Sequence, residues 1–223
     1  VCDAVFIILI SKLLFRYKNM HASRGTAPTG DGAPRTVRIG CGSGFWGDTP
    51  EGAAQLIQRG DIDVLVMDYL AEITMSILAK MRQRQPEAGY ATDFVSQLIV
   101  PHARALAQRG IRVVVNAGGV NPSGCKAAVE RALAAQGVPL KVAAVLGDDV
   151  MGQVDALRAA GVRDMFSGLP LPASLLSANA YLGAFPIAQA LDSGADIVIT
   201  GRCVDSALVL GPLIHAFGWQ PGQ

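Results

Sequence analysis

Four short apolar runs recur down the chain with stretches of helical pattern between them: VLVMD at 64–68, IRVVV at 111–115, LKVAAVL at 140–146 and DIVIT at 196–200. Runs this short and this uniformly apolar belong to strands buried on both faces, the environment of a parallel sheet. A further strand is read at 36–41. Helices are expected over 50–59, 70–84, 92–109, 122–136, after Asp149 as far as Ala160, and over 183–193 and 205–216, with Gly60, Pro86 and Gly110 as stops. Residues 163–176 read as a loop and 177–180 as a short strand. Strand-then-helix alternation argues for right-handed crossovers in one sheet. The expected fold is therefore α/β, an open, doubly wound, mostly parallel Rossmann-like sheet. The alternative is an incomplete (β/α) barrel, since a complete one takes about 250 residues and eight strands. A 51% hydrophobic composition supplies the core.

The stretch before Thr36 differs from the rest. It holds five of the 19 basic residues and two of the 18 acidic ones, so the body that follows is slightly negative. Nucleic-acid binding demands a positive footprint, and that body has none. The apolar run Ala4–Ile10 is too short to span a bilayer, which takes about 20 residues. Its positive charges follow the run, whereas a signal peptide puts them first. No stable membrane span is expected, and the compartment is read as cytoplasmic, with a targeting segment at 1–19 left open. Residues 20–35, rich in Gly, Pro and small polar residues, read as a disordered lead-in. Residues 1–35 are expected to be dispensable for folding, and 36–223 to form the α/β domain.

Glycines crowd the end of the first strand, in RIGCGSGFWGD at 38–48. A strand that breaks into a glycine-rich turn and feeds a helix presents backbone N–H donors to a ligand. Gly42 and Gly44 are the candidate ligand cradle. Gly44→Val is expected to harm the site more than the fold, on the view that Gly44 needs positive φ or close backbone approach. Gly42-Ser43-Gly44-Phe45-Trp46-Gly47 also matches G-x-G-x-x-G, with Asp68 21 residues past Gly47, which resembles a dinucleotide fingerprint. Two features oppose that reading. Pro50 starts the helix after the third glycine, and Asp48 puts a carboxylate where pyrophosphate would need positive potential. No cofactor is named by the sequence.

Polar residues gather where the strands end. Asp68 and Glu72 follow the second strand, Asn116 and Asn121 the third, and Asp148 and Asp149 the fourth. Asn179 lies by the short strand, and Arg202 and Asp205 follow the last. Ligands of parallel α/β proteins bind outside the carboxyl ends of the strands. Asn121, Asp149 and Asp205 also sit where helix caps do. Capping does not account for Asp68, Asn116, Asn179 and Arg202. Asp68, Glu72, Asn116, Asn179 and Asp205 are the catalytic candidates, and Asp148, Asp149 and Arg202 join Gly42 and Gly44 as ligand-binding candidates. Arg202 is the only base of this set, suited either to an anionic ligand or to one of the neighbouring acids. The Asp148–Asp149 pair alone does not define a metal site, and none is expected. Cys2, Cys41, Cys125 and Cys203 form no C-x-x-C pair, which fits reduced thiols. Cys203 beside Arg202 reads as a small buried residue before a nucleophile.

These stretches together resemble the N-terminal domain of the acyclic terpene utilisation protein A family. The carrying blocks are RIGCGSGFWGD, DYLAE at 68–72, PEAGY at 86–90, NAGGVNP at 116–122, GDDV at 147–150, SANAYLGA at 177–184, DIVITGR at 196–202 and PLIHAFGW at 212–219. The wording departs slightly from the family's at Cys203–Ala207, so Cys203 is not taken as a family catalyst. The family continues past this point, which implies that Gln223 is a truncation. The resemblance implies the breakdown of acyclic terpenes such as citronellol and geraniol, alongside acyl-CoA chemistry. The expected protein is a catabolic enzyme or enzyme component acting on a branched isoprenoid acid or its CoA thioester. Its partner would be a small-molecule substrate, with a homo-oligomer or a C-terminal partner domain left open. The reading from another class is a non-catalytic module binding a nucleotide or a partner in the same crevice.

Overall fold

A computed structural model of the chain describes residues 36–222. The lead-in and the targeting segment considered above lie outside the described residues. Five strands form one sheet, every pairing in it parallel: β1 (Ile39–Ser43), β2 (Val64–Met67), β3 (Arg112–Val115), β4 (Val142–Val145) and β5 (Ile197–Thr200). Their order across the sheet is β1-β2-β3-β5-β4. The helices are α1 (Glu51–Arg59), α2 (Glu72–Arg84), α3 (Val100–Arg109), α4 (Pro122–Gln136), α5 (Val154–Ala159), α6 (Phe185–Asp192) and α7 (Ala207–Phe217). The stretch expected as one helix over 92–109 opens with a π-helical segment, Phe94–Ile99, before α3.

Alternation along each strand builds two cores. Leu65, Met67, Val113, Val115, Ile197 and Ile199 face one way, against Ile57 of α1, Leu78 of α2, Leu106 of α3 and Val129 of α4. Val64, Val66, Val114 and Val198 face the other, against Ile187 and Leu191 of α6 and Leu208 and Ile214 of α7. Both faces are covered, so the uniformly apolar strand sequences follow directly. Helices on both faces make the sheet doubly wound, and a barrel keeps them on one. A satellite cluster of Val150, Val154, Leu171 and Ala178 holds the long loop after α5.

The helices after β1, β2 and β3 pack on the first face, and the helix after β5 packs on the second. β3 and β5 are neighbours. The winding therefore switches sides between them, and a crevice opens at their carboxyl ends.

Two expectations change. The first strand runs on to Ser43, because Gly40 and Gly42 lie within it. A Cβ on Gly40 would come within 3.0 Å of Leu56, and one on Gly42 within 3.0 Å of Ala53, so these glycines let α1 lie close on the sheet. Gly42 is also the extra residue of a bulge, where the register with β2 slips between Cys41 and Ser43. The expected strand at 177–180 is one antiparallel bridge, Asp149 to Asn179. Just before it, Leu176 packs against the first core and Leu175 against the satellite cluster.

Candidate functional site

The switch-point crevice brings seven of the candidates into one network. Asn116, fully buried at the end of β3, accepts from the Tyr69 N–H at 2.6 Å through Oδ1. That bond fixes its amide orientation, so Nδ2 donates to Asp68 Oδ1 at 2.6 Å. The Leu70 N–H donates to the same oxygen at 3.3 Å. Among the described residues nothing bonds Asp68 Oδ2. Burial raises the Asp68 carboxyl above its ordinary value; the Asn116 bond opposes this, and the charge of Asp205 adds to it.

Arg202 lies beside this pair with its side chain 4% exposed. Its NH1 donates to the Leu70 carbonyl at 2.9 Å and to Asp205 Oδ1 at 3.0 Å. NH2 donates to the Tyr181 hydroxyl at 3.1 Å, and the guanidinium carbon stands 4.3 Å from the centre of the Tyr181 ring. Tyr181 in turn donates to Glu72 Oε1 at 2.5 Å, which holds the Glu72 carboxyl below its usual range. Arg202 Nε is buried with no partner. Burial works against the Arg202 charge, but the Tyr181 and Asp205 contacts outweigh it and the guanidinium pKa ends above its ordinary value. The geometry makes Arg202 an internal partner that ties β5 to α2 and to the 177–182 segment.

Asp148 sits beneath, 3% exposed, and accepts from the Arg202 backbone N–H at 2.8 Å and from Asn179 Nδ2 at 2.9 Å. It clasps the end of β4 to the end of β5. A Cβ on Gly201 would meet its Oδ2 at 2.3 Å, so the family-like GR pair needs glycine there. Burial raises the Asp148 carboxyl, against the pull of those two donors. A raised carboxyl binds its proton more tightly folded than unfolded. Its stabilising contribution is therefore greatest below the unfolded value of about 4 and falls as pH rises through the folded one. Asp148→Asn keeps an acceptor for both donors and removes the charge. It is expected to melt at the same temperature as the parent at pH 4 and slightly higher at pH 7; equal pH profiles for the two proteins would refute the buried-charge account.

The remaining candidates lie apart. Asp149 caps the turn after β4, accepting from the Met151 N–H at 2.9 Å, and Asn121 caps α4 through the Gly124 N–H at 3.0 Å. Gly42 and Gly44 belong to β1 and its loop, on the far side of β2 from the crevice. The left-handed residue of that loop is Gly47, with φ 96°; Gly44 has ordinary φ, and a Cβ there would meet only Asp48 Oδ2, at 3.9 Å. Gly44 therefore does not need positive φ, and that ground for the effect of Gly44→Val falls away. Moreover, the Gly44 N–H is taken by Asp48 Oδ2 at 3.0 Å and the Thr49 N–H by Asp48 Oδ1 at 2.7 Å. Burial pushes the Cys203 thiol up to about 11, which suits a packed residue. Among the described residues no three His, Cys, Asp or Glu side chains gather to hold a metal.

Sequence reasoning missed Tyr181, whose signal was its place in SANAYLGA between Asn179 and the last strand. It also left two quoted blocks without a job. PEAGY and NAGGVNP lock to each other: Val120 N–H donates to the Gly89 carbonyl, Ala91 N–H to the Ala117 carbonyl, and Asn121 Nδ2 to the carbonyls of Glu87 and Ala88.

The class is thus a doubly wound α/β protein with a carboxylate-rich crevice at its switch point. Within that class, the model for acyclic terpene utilisation family protein AtuA matches residues 37–223, and the chain belongs to that family. The resemblance read from the sequence blocks is borne out. No match was found among curated proteins or solved structures.

Proposed function

We propose that the chain is a catabolic enzyme, or an enzyme component, that binds a branched isoprenoid acid or its CoA thioester in the crevice between β3 and β5. The observation that carries this reading is the Asp68–Asn116 pair. A half-buried carboxyl has one oxygen held by Asn116 and Leu70 and the other unengaged, at the place where parallel α/β proteins bind ligands. A carboxyl with a raised pKa and a fixed orientation is suited to exchanging a proton with a bound molecule. Arg202, Tyr181 and Glu72 act as positioning residues around it. The family label supports acyclic terpenes as the source of the ligand. Among the described residues no helix is long and apolar enough to cross a membrane, and the reading takes the cytoplasm as the compartment. Capture of the Gly44 and Thr49 N–H groups by Asp48 tells against a phosphate in the β1 loop, and so against the nucleotide-binding module.

The test is turnover and binding of citronellyl- and geranyl-CoA by the parent and by Asp68→Asn. Asparagine preserves the acceptor for Asn116 and removes the proton-exchanging carboxyl. The expected result is unchanged or raised melting temperature with turnover down by about 100-fold or more. Full turnover by Asp68→Asn would remove Asp68 from the chemistry, and an absence of binding by the parent would refute the ligand class.

A further inference from the structure

Commitment of Arg202 to Tyr181, Asp205 and Leu70 leaves the crevice, among the described residues, without a cation free for an anionic ligand. A cleft of ≈ 400 Å³ opens beside it, between α2 and the segment leading to Tyr181. That is within the range of about 300–1,000 Å³ typical of small-molecule sites. The Tyr181–Glu72 bond joins the same two elements, so the cleft and the crevice share these walls. Val120, Met151, Leu175 and Leu176 give the cleft apolar lining. Ser177 and Asn179 add neutral polar groups, and Asn179 is the residue that also bonds Asp148.

Arg82 lines this cleft. Its stem lies against Gly89, where a Cβ would come within 3.0 Å of Arg82 Cβ, and NH1 donates to the Val120 carbonyl. The locked PEAGY and NAGGVNP blocks therefore hold Arg82 in place. Among the described residues no carboxylate pairs with it. Asp149, which also lines the cleft, has its Oδ1 occupied by the Met151 N–H and forms no ion pair with Arg82. An exposed guanidinium anchored at NH1 and without a carboxylate partner, beside Val120, Met151, Leu175 and Leu176, is a receptor for a carboxylate with an aliphatic chain.

We infer that the cleft between α2 and residues 175–179 binds an aliphatic carboxylate, with Arg82 answering its charge and Val120, Met151, Leu175 and Leu176 receiving its chain. The inference rests on the isoprenoid reading above and adds the residue that selects the acid.

The test is calorimetric titration of the full chain with citronellate, with citronellol, which has the same chain uncharged, and with acetate, which has the charge without the chain. Citronellate is expected to bind about tenfold or more tightly than either of the others. Arg82→Ala should weaken citronellate about tenfold while leaving citronellol unchanged, and Arg82→Lys should recover part of the loss. Met151→Glu, which places a negative charge in the apolar wall, should weaken citronellate with Arg82 intact. Citronellate affinity unaltered in both Arg82→Ala and Met151→Glu would overturn the cleft and leave the crevice reading standing. A parent protein that binds neither citronellate nor the CoA esters would overturn both. Melting curves of each variant, expected to match the parent, keep misfolding from imitating lost binding.

Discussion

Gly119→Ala should lower the melting temperature by about 10–15 °C or abolish folding, whereas Gly110→Ala should cost only about 2–8 °C. Both glycines have positive φ, 54° and 63°. Forcing a Cβ into that region costs about 1–2 kcal/mol at either position. At Gly110 nothing else follows, because no atom lies within 4 Å of the added carbon. At Gly119 the carbon would stand 2.5 Å from Leu78 Cδ1 and 2.6 Å from the Gly89 carbonyl oxygen. The leucine could yield; the backbone could not without breaking the bond from Val120 to Gly89. Overpacking of this kind adds about 2–3 kcal/mol. Thermal melts of the two variants decide the matter, since equal losses would show that conformation alone governs both sites.

Arg202→Ala should destabilise the ligand-free protein by about 2–4 kcal/mol. Its carboxylate partners do not supply most of that loss. The side chains of Glu72 and Asp205 are 56% and 65% exposed, so water takes up their charge once the guanidinium is gone. The buried side of the residue matters more. The Leu70 carbonyl loses its donor, the Tyr181 ring loses the cation beneath it, and a void opens under both. Arg202→Lys should recover less than half, because an ammonium cannot serve Leu70, Asp205 and Tyr181 from one planar fork. Chemical denaturation without ligand measures this directly. An unchanged midpoint for Arg202→Ala would mean that the network is decorative and would return Arg202 to the list of ligand cations.

The strands and their direction were legible because burial on both faces writes an uninterrupted apolar run, and these runs are too short for helices and alternate with helical pattern. The Asn121 cap and the limits of α4 were legible because Asn-Pro at a helix start and glycine at its end act locally. The order of the strands was not: β5 pairs with β3 through contacts between residues 113–115 and 197–199, and no local pattern carries that information. At the site, the carboxyl ends of the strands located Asp68, Asn116 and Arg202 together, since parallel topology gathers them wherever the helices lie. What each does depends on side-chain direction. Asp205 reads as a helix cap and turns back to Arg202 instead, and Gly42 reads as a ligand cradle and makes room for α1. Arg82 gave no signal at all, since an arginine near a helix end before Pro86 looks like any solvated residue; only the fold brings Val120, Met151 and residues 175–179 around it.

The position of β5 between β3 and β4 has a consequence for how the chain is made. During synthesis β1, β2 and β3 can zip together as they leave the ribosome, each beside the strand just before it. β4 emerges next and has no strand to join until Ile197–Thr200 has been translated and has slipped into the gap. Asp148 likewise waits for the Arg202 backbone that clasps it. The crevice thus cannot close before β5 has been made, and a nascent chain paused inside the long 163–176 loop would carry β1, β2 and β3, an unpaired β4 and no site.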